Sequence, residues 1–274
     1  MGREREIARL GALHEQRKHV LIVGPAGVGK SALVERLREQ LTLLVSSKSA
    51  HLGGICEGLE PQLGLTPAGL RLLERKKQLR EALGAAGRAV VFDGVGWTEP
   101  KVSSFFESLT QRASVWICTW SERPWDIGHF WPLLARFARV AVHPFSLSET
   151  QALVEAAVRI GGIPPGAREI VGWLQRRSGG VPLVLRELLE EVATGKYDLG
   201  SRNALERLNL DRRIGGRGRR SGRVWLLATA WCCSRQGRCL CCGLNQRNRS
   251  WTKSARRALP TGSKPSLTFS PGRA

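Results

Sequence analysis

Apolar residues along the chain follow two alternating patterns. Short continuous runs appear at HVLIVGP (19–25), LTLLVSS (41–47), RAVVFDG (88–94), SVWICTW (114–120) and RVAVHPF (139–145), each the length of a strand. Between them apolar residues recur at helical spacing: Ile7, Leu10 and Leu13 near the start, Leu33, Val34, Leu37 and Leu41 after a glycine-rich turn, then GLRLLERKKQLREALGAAG and SSFFESLT. Strands that are apolar throughout and alternate with helices predict parallel crossover units, the sheet covered on both faces. Residues 49–67, with Gly53, Gly54, Gly58, Pro61, Gly64 and Pro67, are expected to be mostly loop. After Phe145 no further strand is read. SLSETQALVEAAVRI, capped by Ser146 or Ser148, REIVGWLQRRSG, and PLVLRELLEEVATG starting at Pro182 predict three successive helices. The expected organisation is an α/β domain over 1–146, a helical subdomain over 147–210 and a tail over 211–274.

Charge changes the picture only for that tail. The chain has a formal net charge of +20, yet residues 1–210 hold 28 Lys/Arg against 22 Asp/Glu, while residues 211–274 hold 15 against the single acid Asp211. The first part is thus an ordinary solvated surface, and its charge does not demand a nucleic-acid partner. Five of the seven cysteines, Cys232, Cys233, Cys239, Cys241 and Cys242, also lie in the tail, leaving Cys56 and Cys118, too few for a disulfide framework. Three readings of the tail stand open: zinc held by Cys232, Cys239 and Cys242, an Arg/Gly segment on phosphate backbones, and a frame-shifted segment, disordered and never selected, which is the leading one. MGREREIARL is too charged for a leader, and the ten residues of VWLLATAWCC fall short of a membrane span of about 20. A cytoplasmic protein without a membrane partner is expected.

The chemistry starts at Gly24-Pro25-Ala26-Gly27-Val28-Gly29-Lys30-Ser31, which fits G-x-x-x-x-G-K-S between a strand and a helix. Glycine permits dihedrals that turn successive N–H groups toward an anion, and the helix N-terminus adds its positive end. Lys30 is expected to bridge the outer phosphates and Ser31 to ligate magnesium. Asp93 ends a neighbouring strand, where a carboxylate can hold the same ion, the alternative being a plain Asp-Gly turn. Gly94 stands where many ATPases place a second acid. Glu99, six residues beyond Asp93, is then the candidate for orienting an attacking water, or else a helix cap. Thr119 could bond the water or the terminal phosphate and Arg123 could oppose developing charge, the alternatives being a strand-end threonine and a surface arginine.

MGREREIARL, GPAGVGKS, VVFDGVGWTEP, ICTWSERPW and SGGVPLVLREL, in this order, resemble the AAA-related ATPases of the STAND and archaeal-type origin-recognition families. The resemblance covers roughly residues 1–210. It implies a P-loop parallel sheet in the order 5-1-4-3-2 followed by a helical lid, with ATP and magnesium as cofactors. It also implies that Arg3, in Gly2-Arg3-Glu4, lies beside the adenine, that Arg123 lies near the phosphates, and that Pro182 of Gly180-Val181-Pro182 packs on the base. Where these families commonly read D-D-x-H-W-A-D-P, this chain has Asp93-Gly94-Val95-Gly96-Trp97-Thr98-Glu99-Pro100, so secure nucleotide binding with weak turnover is expected. The implied function is a nucleotide-dependent conformational switch acting on a protein partner or downstream effector module. The alternatives are a DNA-associated ATPase of the replication or transposition-helper type, a non-hydrolysing scaffold, and a small-substrate kinase.

Overall fold

Five short strands, β1 (Val20–Val23), β2 (Leu43–Ser46), β3 (Ala89–Phe92), β4 (Val115–Thr119) and β5 (Ala138–Ala141), form one sheet in the order β2-β3-β4-β1-β5. Every pairing is parallel, and read from the other edge this is the expected 5-1-4-3-2. The computed structural model describes residues 2–66, 69–201 and 203–208, which lie within one compact unit. The readings of residues 211–274, zinc ligation by Cys232, Cys239 and Cys242 included, lie outside the described residues.

Strand alternation sorts the core into two layers. Val20, Ile22, Ala89, Val91, Trp116, Cys118 and Val140 face α1 (Glu4–Glu15) and α2 (Lys30–Arg38), whose Leu10, Leu33, Val34 and Leu37 complete that cluster. Leu21, Leu44, Val90, Phe92, Val115 and Ile117 face the other way, against α3 (Leu52–Leu59), α4 (Leu72–Ala86) and α5 (Pro100–Thr110). The inner strands β1, β3 and β4 are buried on both sides, so a polar residue on one of them needs a partner inside the protein.

The segment expected to be mostly loop, 49–67, instead contains α3 and a 3-10 turn at Pro61–Leu63. Gly54 and Gly58 serve close packing, while Gly64, at φ +67°, does turn the chain. A Cβ at Gly54 would come 2.6 Å from the Lys48 carbonyl oxygen, and one at Gly58 would come 2.9 Å from Ser46 Oγ. The helix therefore lies against the end of β2 at a distance only glycine allows, and tertiary burial of Ile55, Cys56 and Leu59 outweighs the low helix propensity.

The stretch after β4 holds two further elements that periodicity did not show, α6 (Pro124–Ile127) and a 3-10 turn at Trp131–Arg136. They are too short to carry a period, and the core anchors them. Ile127 and Phe130 are fully buried, and Phe130 stacks edge-on against both Phe106 and Phe137 with centroids 5.3 and 5.5 Å apart. Such aromatic pairs contribute about 0.5–1.5 kcal/mol each beyond area burial.

Three helices follow the sheet, α7 (Leu147–Arg159), α8 (Val171–Ser178) and α9 (Pro182–Ala193). They form the lid, packed around Val154, Leu174, Leu185, Leu188 and Val192. Ser146 caps α7 by a capping box: its Oγ accepts the Glu149 N–H at 3.3 Å while its own N–H donates to Glu149 Oε2 at 2.7 Å.

At the opposite end of the sheet from the glycine-rich loop, His19 Nδ1 accepts the Val115 N–H at 3.2 Å, and its ring lies 5.4 Å from that of Phe137. Burial pulls its pKa below the ordinary value, a hydrogen bond with the Thr110 backbone opposing this. The folded protein thus prefers the neutral ring, whose contribution is complete above the ordinary pKa of about 6.5 and is lost as pH falls through the lower folded value. Melting temperature should decline on acidification below about pH 6.5, and His19→Asn, which keeps an acceptor but takes up no proton, should reduce that decline. Thermal melts of both proteins from neutral to mildly acidic pH check this.

Candidate functional site

The chain leaves β1 at Gly24, held between the two neighbouring strands. The Gly24 N–H donates to Thr119 O at 3.3 Å, and a Cβ on Gly24 would lie 2.3 Å from Val142 O. Val28, fully buried, fixes the middle of the turn to the core. Gly27 and Gly29 have φ of +77° and +98°, the left-handed region that favours glycine. Gly29 is also the N-cap of α2 and supplies no side chain to cap it, so the first N–H groups of the helix stay available for an anion. Lys30 opens α2 and curls back, its Nζ donating to Gly24 O at 2.7 Å and Pro25 O at 3.0 Å. Burial lowers the pKa of its ammonium, while Cys118 and Asp93 oppose that shift.

Asp93 follows β3 and is tied to β2 through its N–H, which donates to Ser46 O at 2.8 Å. Ser31, in the first turn of α2, is exposed. No group of three or more His, Cys, Asp or Glu that could cage a metal occurs among the described residues. One carboxylate and one hydroxyl are hard oxygen donors, suited to magnesium, which keeps waters and takes further oxygens from phosphates. The donor set therefore fits a magnesium ion that arrives with a nucleotide.

Glu99 is exposed and serves as N-cap of α5, its carbonyl accepting the Val102 and Ser103 N–H groups. Its neighbour Thr98 is buried and joins two loops. Thr98 N and Oγ1 both donate to Ile127 O, at 3.0 and 2.7 Å, and Thr98 O accepts the His129 N–H at 3.2 Å. Gly128 is required at this crossing, since a Cβ there would lie 2.7 Å from Thr98 O. The Thr119 hydroxyl donates to Ser121 O at 3.0 Å, within its own turn. Ser121 Oγ in turn accepts the Arg123 N–H at 3.2 Å and donates to Asp126 at 2.6 Å. The Arg123 guanidinium lies 5.9 Å from the Trp125 ring centre. Trp97, Trp120, Trp125 and Trp131 are all exposed along these loops.

Arg3 acts as a clasp. Its guanidinium donates to Val28 O at 3.1 Å, His143 O at 2.6 Å and Glu6 Oε1 at 3.1 Å, and lies 5.0 Å from the Phe145 ring centre. It lines a cavity of about 420 Å³ with Gly2, His143, Pro144, Ser146 and Glu149. Pro182 begins α9, and the next residue meets the loop: Leu183 N–H donates to Gly27 O at 3.1 Å. A Cβ on Gly27 would come 2.8 Å from Leu183 Cβ and 3.2 Å from Val181 Cγ1.

The sequence reading missed several participants. Phe145 N–H donates to Gly180 O at 2.7 Å, and Phe145 O accepts from Gln175 Nε2 at 2.8 Å, joining the sheet to the lid. Gly180 has φ +70°, and a Cβ there would lie 2.2 Å from Phe145 O, so the glycine before Val181-Pro182 is fixed by close approach. Cys118 was assigned no role, yet strand alternation together with the β3–β4 register places it on the face of Asp93.

Gly24→Ala should push the loop off β5, weakening nucleotide affinity at least about tenfold, since a fixed backbone carbonyl cannot yield to the new methyl. Equilibrium binding of a fluorescent ATP analogue, with circular dichroism to verify folding, measures the effect.

No curated protein sequence matches the chain. Residues 1–117 match the AAA ATPase domain family. Among solved structures, the fold is similar to a Walker-type ATPase of Pyrococcus abyssi, at 19% identity and a TM-score of 0.54, covering 78% of this chain and 72% of that one. It is also similar to the ORC1 protein of Aeropyrum pernix, solved in complex with DNA, at 14% identity and TM-score 0.54, covering 76% and 65%. Cdc6p of Pyrobaculum aerophilum aligns at 12% identity and TM-score 0.50, covering 70% and 61%. The chain thus spans less than two thirds of the length of the latter two proteins. Residues 1–117 thus resemble the AAA ATPase domain family, and the sheet order and helical lid are the fold shared with these solved structures.

Proposed function

We propose that the protein is a nucleotide-dependent conformational switch: it binds ATP with magnesium at the Gly24–Ser31 loop and reports the bound state through its helical lid. The observation that carries this reading is the hydrogen bond from Leu183 N–H to Gly27 O, 3.1 Å long. In a phosphate cradle the loop N–H groups face the anion. The Gly27 carbonyl is instead engaged by the first turn of α9, so a shift of the loop on phosphate binding moves the lid. Lys30 turns its ammonium from the carbonyls of Gly24 and Pro25 to the outer phosphates, and Ser31 and Asp93 hold the magnesium. The metal supplies charge neutralisation on the phosphates.

Within this reading Arg3 and Pro182 flank the base. Glu99 orients the attacking water, with Thr119 and Arg123 stabilising the terminal phosphate. Hydrolysis is slow because these groups start elsewhere: the Thr119 hydroxyl is bonded within its turn, Glu99 is exposed at a helix start, and Arg123 lies near Trp125. A second reading, a scaffold that binds nucleotide without turnover, is favoured by Gly94, which is exposed at φ +70° and offers no acid beside Asp93. No helix among the described residues is long and apolar enough to cross a membrane. The output is taken by a protein partner or effector module, while a role on DNA rests on likeness of fold alone.

Lys30→Ala should weaken Mg-ATP binding about tenfold or more, the loss of a charge-assisted contact. In the wild type, ATP should change hydrogen exchange at the Leu183 amide and across α9. Unchanged affinity in the variant, or exchange at α9 indifferent to nucleotide, would overturn the switch.

A further inference from the structure

Side chains alternate along a strand, so Trp116 and Cys118 of β4 share a face with Ala89 and Val91 of β3, as their common core cluster shows. The register Val91↔Trp116 and Phe92↔Ile117 then carries Asp93, one residue beyond β3, to the level of Cys118 on that same face. On its other side Cys118 pairs with Ile22 of β1, two residues before the glycine-rich loop opens. The thiol therefore lies beneath the loop, next to both Asp93 and Lys30, whose electrostatics it shares.

Cys118 is fully buried among Ile22, Val91 and Trp116, so its S–H has few places to go. The register sets it level with Asp93 on the same face, within electrostatic reach of the carboxylate. A thiol with an ordinary pKa of about 8.5 is protonated at neutral pH and so is a donor. The backbone around Asp93 is already fixed: its N–H donates to Ser46 O at 2.8 Å, and Val95 N–H donates to Cys118 O at 2.9 Å. What remains free is rotation of the carboxylate about its own side-chain bonds. A donor at one oxygen removes that freedom and leaves the other oxygen for a cation.

We propose that Cys118 is a positioning residue for the magnesium–nucleotide complex: its S–H donates to one Asp93 oxygen and fixes the carboxylate so that the other oxygen meets the metal. This rests on the nucleotide reading above. It predicts that removing the donor weakens the magnesium-dependent part of binding and spares the part made by the loop and Lys30.

The test measures affinity for a fluorescent ATP analogue, with magnesium and with EDTA, in wild type, Cys118→Val, Cys118→Ser and Lys30→Ala. The quantity read is the ratio of the two affinities, the magnesium enhancement. Cys118→Val should cut the enhancement about three- to tenfold, the span of an ordinary single hydrogen bond, since a thiol is a weak donor, and change the EDTA affinity less than about twofold. Cys118→Ser keeps a donor and should hold most of the enhancement. A wild-type ratio in Cys118→Val would overturn the proposal, as would an equal loss in Cys118→Ser, which would trace the effect to packing. Thermal melts verify folding, and Cys118→Ala takes the place of Cys118→Val if valine is not accommodated. The two readings fail separately. A wild type that binds ATP only with magnesium but ignores the valine substitution sinks the role of Cys118 alone. A wild type indifferent to magnesium, or a Lys30→Ala protein that binds as well as wild type, sinks the nucleotide reading and this inference with it.

Discussion

The close approach of Gly24 to Val142 O, with no room for even a methyl group, is the constraint on which the site depends. Because β1 lies between β4 and β5, the turn that leaves it is gripped from both sides, by Thr119 O on one and Val142 O on the other. Val28 then ties the turn to the apolar layer beneath. A loop rich in glycine would otherwise lose much conformational entropy on ordering. Here the sheet fixes its start and buried Val28 its middle, which reduces that cost and leaves Gly27, whose carbonyl is bonded to the lid, as the part of the turn free to respond.

The same framework reaches the lid through a small set of backbone contacts. Phe145 closes the sheet side, with the Arg3 guanidinium near its ring and its N–H on Gly180 O. Gln175 of α8 accepts from Thr150 of α7 and donates to Phe145 O, so the first two lid helices and the end of the sheet share one amide. Leu183 completes the circuit on the loop itself. These links are few and local, while the lid has its own apolar centre around Leu174 and Leu188. Such an arrangement favours motion of the lid as a body over internal rearrangement.

Much of this was legible in the sequence. Continuous apolar runs gave all five strands, because a strand covered on both faces is mostly apolar and even edge strand β5 has only Arg139 exposed, and GPAGVGKS marked the loop through its glycines. The strand order came from family resemblance, since periodicity does not encode which strands are neighbours. What stayed hidden has physical causes. The glycines of α3 read as turn residues, yet they permit contact with Ser46 and Lys48, a tertiary demand invisible locally. The elements around Phe130 span too few turns to show a period and are held by aromatic contacts from Phe106 of α5 and Phe137 just before β5. Cys118 looked like one more apolar strand residue; only register reveals that an acid ends the adjacent strand at its level. Ser146, not Ser148, emerged as the cap because the Glu149 side chain returns to its N–H.

Thr98 is bound on both sides of its peptide to Ile127 and His129, and Gly128 leaves the crossing no slack. The ribbon that carries Glu99 and the ribbon that carries Arg123 are therefore spliced into a single rigid yoke across the carboxyl ends of β3 and β4. Because Arg123 O accepts the Asp126 and Ile127 N–H groups, the splice fastens the backbone of the arginine to the turn that follows β3, with Trp97, Trp120, Trp125 and Trp131 exposed along it.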